Sequence, residues 1–295
     1  MKHSIKDWII AVRPWSFPAS AMPVLVTVMW LWSRSMEVNW WLGLAAILAI
    51  VLVHASGNVW SDIADYRYGV DAPDTFGARS LVEGHFTTRD FYILSMALLA
   101  VAILFGLLLV WLTGLPLLYI GVAGVALSIC YPWLKYAALV DVVIMFCYAL
   151  LPMLGTTYIV TGSVVWDVLW LSVPVGLITV AILHANNVRD IETDRRAGVQ
   201  TFPLLTGRKV GMRLYAFEVL FPYLWMLILI CSGIVSAWLA LCAISLPLAL
   251  GNARQALQEE QDWRLACAHL DDNTAKLQLM FSCLLVVGML LSVLL

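Results

Sequence analysis

The stretch WLSVPVGLITVAILHANNVRDIETD (residues 170–194) joins two contrasting environments in one run. Its first half belongs to an apolar run near 166–187, long enough to cross hydrocarbon, which takes roughly 20 such residues. Its second half gathers Asn186, Asn187, Asp190 and Asp194, which share one face of a helix with about 3.6 residues per turn. Such a segment reads as a membrane helix with acids at its mouth.

The rest of the chain is built in the same way. Of its 295 residues, 62% are hydrophobic and 12% are charged, more apolar surface than a soluble protein of this length can hide. Mean hydropathy is +0.90. Apolar runs near 17–34, 40–60, 91–112, 115–133, 138–161, 166–187, 212–232, 234–251 and 276–295 predict about nine spans. No small-residue cleavage site follows the first run, so no removable signal peptide is expected. The longer polar connections, near 61–90, 188–211 and 252–275, fall on one face with the short 134–137 link and the N-terminal tail. That face holds every one of the 17 basic residues except Arg34, which predicts a cytoplasmic N-terminus and an odd number of spans. The expected fold is thus an all-α integral membrane protein forming a single domain over 1–295.

The six cysteines are scattered without metal-ligand spacing and read as small buried apolar groups. Most of the 14 tryptophans fall near span ends, where interfacial anchoring explains them. No feature points to nucleic acid or to an obligate protein partner. Lipid is the expected surrounding.

A second acidic cluster, NVWSDIADYRYGVD (58–71), closes the second run. Asn58, Asp62 and Asp65 share a helical face there, and Asp71 follows. Asn-x-x-x-Asp-Ile occurs both at 58–63 and at 186–191, each at the same end of an even-numbered span. Two four-helix halves, about 1–135 and 136–255, plus a ninth helix would account for the recurrence. Asp74, Asp90 and Glu192 read as solvated loop residues. Asp62, Asp65, Asp190 and Asp194 do not, because carboxylates at this depth repel one another unless positive charge separates them. Oxygen donors without cysteine suit Mg²⁺, which keeps positions open for water or phosphate oxygen. His54 and His184 read as helix-packing histidines.

ILHANNVRDIETDRRAGVQTFPLLTGRK (182–209) resembles the second Asp-rich motif and loop of the UbiA superfamily of intramembrane prenyltransferases. WIIAVRPWSFPASAMPVL (8–25), DYRYGVD followed by GARSLVEG, LGTTYIVTG (154–162) and NTAKLQLMFSCLL (273–285) resemble the menaquinone-pathway branch. The resemblance implies transfer of a polyprenyl group from a polyprenyl diphosphate to an aromatic acceptor, 1,4-dihydroxy-2-naphthoate in that branch. It implies a bacterial cell membrane and a site at the cytoplasmic face. It implies two Mg²⁺ ions on the diphosphate, held by Asn58, Asp62, Asp65, Asp190 and Asp194, with Lys135 and Tyr131 also catalytic. Substrate-binding roles are implied for Arg13, Asp71, Arg79, Tyr158, Asn186, Asn187, Arg189 and Lys209.

Two membrane rivals are less well matched. The Asp-x-x-Asp of DIAD fails a CDP-alcohol phosphotransferase signature, since Tyr66 follows it and Ala78-Arg79 come too late. A cation-coupled transporter would place its acids near the midplane on broken helices. Within the prenyltransferases, 4-hydroxybenzoate, homogentisate and haem are the alternative acceptors.

Overall fold

Long apolar helices account for almost the whole chain, and their order decides where the acids meet. The computed structural model describes residues 4–76, 80–258 and 263–295. Among these every regular element is helical, and the single β-bridge pairs Ala137 with Gln200. Among the described residues, eight helices are long and apolar enough to cross a membrane, or nine if one bent pair counts as a span. In the bent pair, α1 (Ile5–Val12) and a 3₁₀ turn meet α2 (Pro18–Ser33) at 49°. The remaining spans are Trp40–Tyr68, Thr88–Thr113, Pro116–Lys135, Val140–Thr161, Trp166–Arg189, Arg208–Cys231, Ala237–Leu257 and Leu270–Leu294. The expected all-α membrane fold is therefore present.

Helix ends differ from the expected runs where polar residues continue a helix. Helix α3 (Trp40–Tyr68) runs eight residues past its expected end at 60, because DIADYRY keeps helical geometry until Gly69. Gly69 adopts φ 71°, a left-handed conformation that glycine takes without a Cβ clash. Helices α4 (Thr88–Thr113) and α5 (Pro116–Lys135) follow. The fifth apolar run comprises α6 (Val140–Met145), a π-helical turn at Phe146–Leu150, and α7 (Leu151–Thr161). The expected loop at 188–211 holds two short helices, α9 (Ile191–Ala197) and α10 (Phe202–Thr206), between α8 (Leu169–Arg189) and α11 (Arg208–Cys231). The chain ends with α12 (Leu246–Leu257), α13 (Trp263–Ala266) and α14 (Leu270–Leu294).

Helix α8 is the centre of the bundle. Its apolar window is 67% enclosed by protein, against 17% for α4 and 11% for α5, which face outward. It packs on α11, α14 and α6, while α14 also lies along α2, and α3 pairs with α4. Leu171, Val175 and Ile178 are fully buried along α8. Since lipid tails are as apolar as these side chains, close packing and small residues hold such helices together. At Gly288 on α14, an added Cβ would stand 2.6 Å from the Trp238 carbonyl oxygen, so only glycine admits that approach.

Candidate functional site

The two acidic clusters are built by one local device used twice. Asp65 stands four residues before left-handed Gly69, and the chain curls back so that Val70 N donates to the Asp65 carbonyl at 2.9 Å. Asp194 stands four residues before left-handed Gly198, and Val199 N donates to its carbonyl at 3.2 Å. In the first copy the curl continues until Asp71 N also reaches the Asp65 carbonyl, at 3.2 Å. Asp71 is thereby folded back on its own helix. Carboxylate oxygens of Asp62, Asp65 and Asp71 lie within 4.8 Å of one another.

Cations surround this trio. Arg13, between α1 and the 3₁₀ turn, donates to Asp62. Its left-handed φ of 55° is strained for a side chain with a Cβ, by roughly 1–2 kcal/mol. From this position between the end of α1 and Pro14 its guanidinium reaches inward to Asp62. Lys135, the last residue of α5, donates to both oxygens of Asp65 at 2.8 and 3.0 Å. Tyr136 donates its hydroxyl to the same carboxylate, and Ser61 reaches it at 3.3 Å. Asn58 turns its amide nitrogen to the Val12 carbonyl and Ser16 Oγ, both at 3.0 Å. An amide binds cations through oxygen, so this bonding leaves its ligand atom unspent.

The second cluster opens at the end of α8. Arg189 grips Asp190 as a fork, at 2.9 and 2.8 Å, and extends its other nitrogen 3.0 Å to Asp271. Asp194 is buried and accepts from Thr201 Oγ1 at 3.2 Å. Asn187 is buried and Asn186 half-buried, one turn inside Asp190.

Three ties bring the clusters together. The Ala137–Gln200 bridge binds the loop after Lys135 to the loop after Asp194, through Ala138 N to Gln200 O at 3.0 Å and Gln200 N to Tyr136 O at 3.2 Å. Arg196 forks onto Asp74 at 2.9 and 2.8 Å, and Arg264 reaches the Asp74 carbonyl at 3.0 Å. Phe76 carries the guanidinium of Arg189 at 5.0 Å and that of Arg264 at 5.4 Å from its ring centre.

The electrostatics record the meeting. Burial pushes the Asp194 carboxyl up to about 7; nearby Lys135 opposes the shift, while Asp190 and Asp65 add to it. Burial likewise pushes Asp71 up to about 6, with Asp65 and Asp190 adding repulsion and Lys135 and Arg13 opposing. Each acid thus senses a carboxylate of the other cluster. A concentration of carboxylate oxygen with this much unrelieved repulsion is what a hard divalent cation neutralises.

Not every expected residue joins the site. The Tyr158 hydroxyl donates to the Thr113 carbonyl at 2.8 Å, at the opposite ends of its helix and of α4. Lys209 is exposed in the first turn of α11. Tyr131, by contrast, stays with the site: one turn before Lys135, it is near enough to Lys135, Asp65 and Arg13 to sense their charge, while its ring packs against Val140, Ile144 and Val180. Arg79 falls outside the described residues. His54 bonds Ser20 Oγ at 2.9 Å and Ser16 Oγ at 3.3 Å, a packing role. Tyr136, Thr201 and Asp271 were not singled out from sequence. Only Tyr136, beside Lys135, had a local signal.

The family model for the UbiA prenyltransferase family matches residues 20–285. Relatives named UbiA prenyltransferase domain-containing protein 1 include one from Danio rerio, 31% identical over 97% of this chain and 84% of its own length. The human protein of that name is 30% identical over 99% and 85%. The Drosophila melanogaster homolog is 32% identical over 96% and 79%. Among solved structures, a UbiA homologue from Aeropyrum pernix K1 superposes with a TM-score of 0.71 at 18% identity, covering 98% of this chain and all of that one. A UbiA homologue from Archaeoglobus fulgidus bound to GPP and Mg²⁺ superposes with a TM-score of 0.64 at 12% identity, covering 98% and 100%.

Proposed function

The chain belongs to the UbiA prenyltransferase family, a family of transferases, and on that footing we propose its reaction and its acceptor. It moves a polyprenyl group from the diphosphate onto an aromatic ring. The acceptor of this reading is 1,4-dihydroxy-2-naphthoate, prenylated with decarboxylation in menaquinone biosynthesis. The motifs shared with the menaquinone branch support that choice.

The observation that carries the reaction class is the convergence of Asp65, Asp71 and Asp194 around Lys135, with Asp190 close to Asp71 and Asp194. Asp62, Asp65 and Asp71, with Asp190 and Asp194, are the residues that would hold Mg²⁺, and Asn58 adds an amide oxygen. Their oxygen-only donor set and mutual repulsion fit that ion. The Archaeoglobus fulgidus homologue, bound to GPP and Mg²⁺, supports the same pairing of ligand and metal. Two Mg²⁺ ions, when bound, supply charge that stabilises the departing diphosphate.

The chain's own residues do the rest. Arg13, Lys135 and Arg189, now paired with acids, face the diphosphate as further positive charge. As the allylic C–O bond lengthens, C1 becomes cation-like and the electron-rich ring attacks it. The surrounding bundle keeps water from that carbon. The distribution of Lys and Arg over the polar connections supports a cytoplasmic face for this chemistry. The menaquinone reading places the protein in a bacterial cell membrane.

The test is prenyl transfer by purified protein given Mg²⁺, a labelled polyprenyl diphosphate and dihydroxynaphthoate, 4-hydroxybenzoate, homogentisate or haem. Product is expected with dihydroxynaphthoate. Asp62→Ala and Asp190→Ala are expected to abolish it while the protein stays folded; near-normal turnover in both would refute the metal assignment. Product with 4-hydroxybenzoate alone would overturn the acceptor and leave the reaction class standing.

A further inference from the structure

Six residues before Asp190, α8 carries a different constellation. His184 is wholly buried, and its Nδ1 lies 3.2 Å from Asp141 Oδ2 and 3.3 Å from Glu218 Oε1. Asp141 lies in the first turn of α6, and Glu218, the one acid of α11, lies well inside that helix and is 3% exposed. One ligand atom from each of the three lies within 4.8 Å of the others.

The approaches are close, yet no hydrogen bond satisfies them. His184 Nδ1 and Nε2, Asp141 Oδ1 and Glu218 Oε2 are all buried without a hydrogen-bond partner. Orphaned polar atoms in a bundle core are costly. A protonated imidazole balances only one of the two carboxylates, and the other must hold a proton or meet a cation. A divalent cation balances both.

The spacing also suits a metal. One imidazole nitrogen and two carboxylate oxygens form a donor set that Zn²⁺ accepts. Tetrahedral bonds of ~2.0–2.1 Å separate neighbouring ligand atoms by about 3.3–3.4 Å, close to the two observed nitrogen–oxygen distances. We propose that Asp141, His184 and Glu218 bind one Zn²⁺ ion, separate from the diphosphate site. It fastens α6, α8 and α11 to one another beneath the second acidic cluster, and its existence does not depend on the prenyl-transfer reading.

The test uses full-length, tag-free protein incubated with zinc chloride, desalted, and assayed for metal by mass spectrometry. About one zinc per wild-type chain is expected, with loss to background in Asp141→Asn and Glu218→Gln. Asp62→Asn is expected to keep its zinc, and His184→Cys to keep what His184→Ala loses, because a thiolate also binds zinc. Melting of the wild type, which needs no variant, is expected to shift upward with zinc and back with chelator. A wild-type chain that retains no zinc, or Asp141→Asn and Glu218→Gln chains that retain as much, would overturn the proposal.

Discussion

Lys135 holds both oxygens of Asp65, at 2.8 and 3.0 Å, across 70 residues of sequence. Asp65 is 8% exposed, and removing the ammonium leaves its carboxylate beside those of Asp62 and Asp71. Lys135→Met is therefore expected to lower turnover by ~100-fold or more, the scale seen when one charge-stabilising donor is lost. The measurement is steady-state prenyl transfer on protein shown folded by its melting curve. Lys135→Arg, which keeps the charge, should recover part of the loss.

Binding of Mg²⁺ should weaken in acid. Burial and neighbouring carboxylates raise Asp71 to about 6 and Asp194 to about 7, above the ordinary carboxylate value. A group with a raised value holds its proton to higher pH, and a cation must displace that proton. Apparent Mg²⁺ affinity is thus expected to fall as pH drops from ~8 to ~6, with protons released on binding. Mg²⁺ titrations at three pH values check this, and Asp71→Asn should flatten the dependence.

The bridge between Ala137 and Gln200 predicts a backbone effect. Gln200→Pro removes the N–H that bonds Tyr136 O at 3.2 Å. Stability is expected to fall by only about 1 kcal/mol, while turnover falls further, since the bridge sets Tyr136 and Lys135 against Asp194. Unchanged turnover in a folded variant would show that the two loops find their register without it.

Packing yields a separate prediction. Gly288→Ala would place a Cβ 2.6 Å from a backbone oxygen, an atom that no rotamer change moves. An overpacked contact of this kind costs ~1–3 kcal/mol. A lowered melting temperature is expected, with turnover per folded molecule intact because Gly288 lies away from the acids on α14.

The spans were legible because lipid imposes a length and a composition on every crossing helix. Their ends were less so. DIADYRY is polar enough to read as loop, yet it continues α3 until Gly69 permits a turn that Tyr68 would resist. The paired acidic clusters stood out, since carboxylates at the end of an apolar run are rare. Their surroundings did not. The Tyr136 contact with Asp65 and the Arg189 contact with Asp271 join segments whose approach depends on how loops cross. Asp71 lies beyond the end of α3, and only the backbone curl around the Asp65 carbonyl carries it into the group. Glu218 offered a sequence signal, an acid inside an apolar span, but its partners Asp141 and His184 lie on other helices.

Of the eight long helices among the described residues, α5 has the least protein around it, with 11% of its apolar window enclosed, and it ends in Lys135. Most of its length is therefore open to whatever surrounds the bundle. The Lys135 contact with Asp65 thus stands at the end of a weakly enclosed helix. Prenyl transfer is accordingly expected to differ between bilayers of different thickness and detergent micelles, which a side-by-side assay checks.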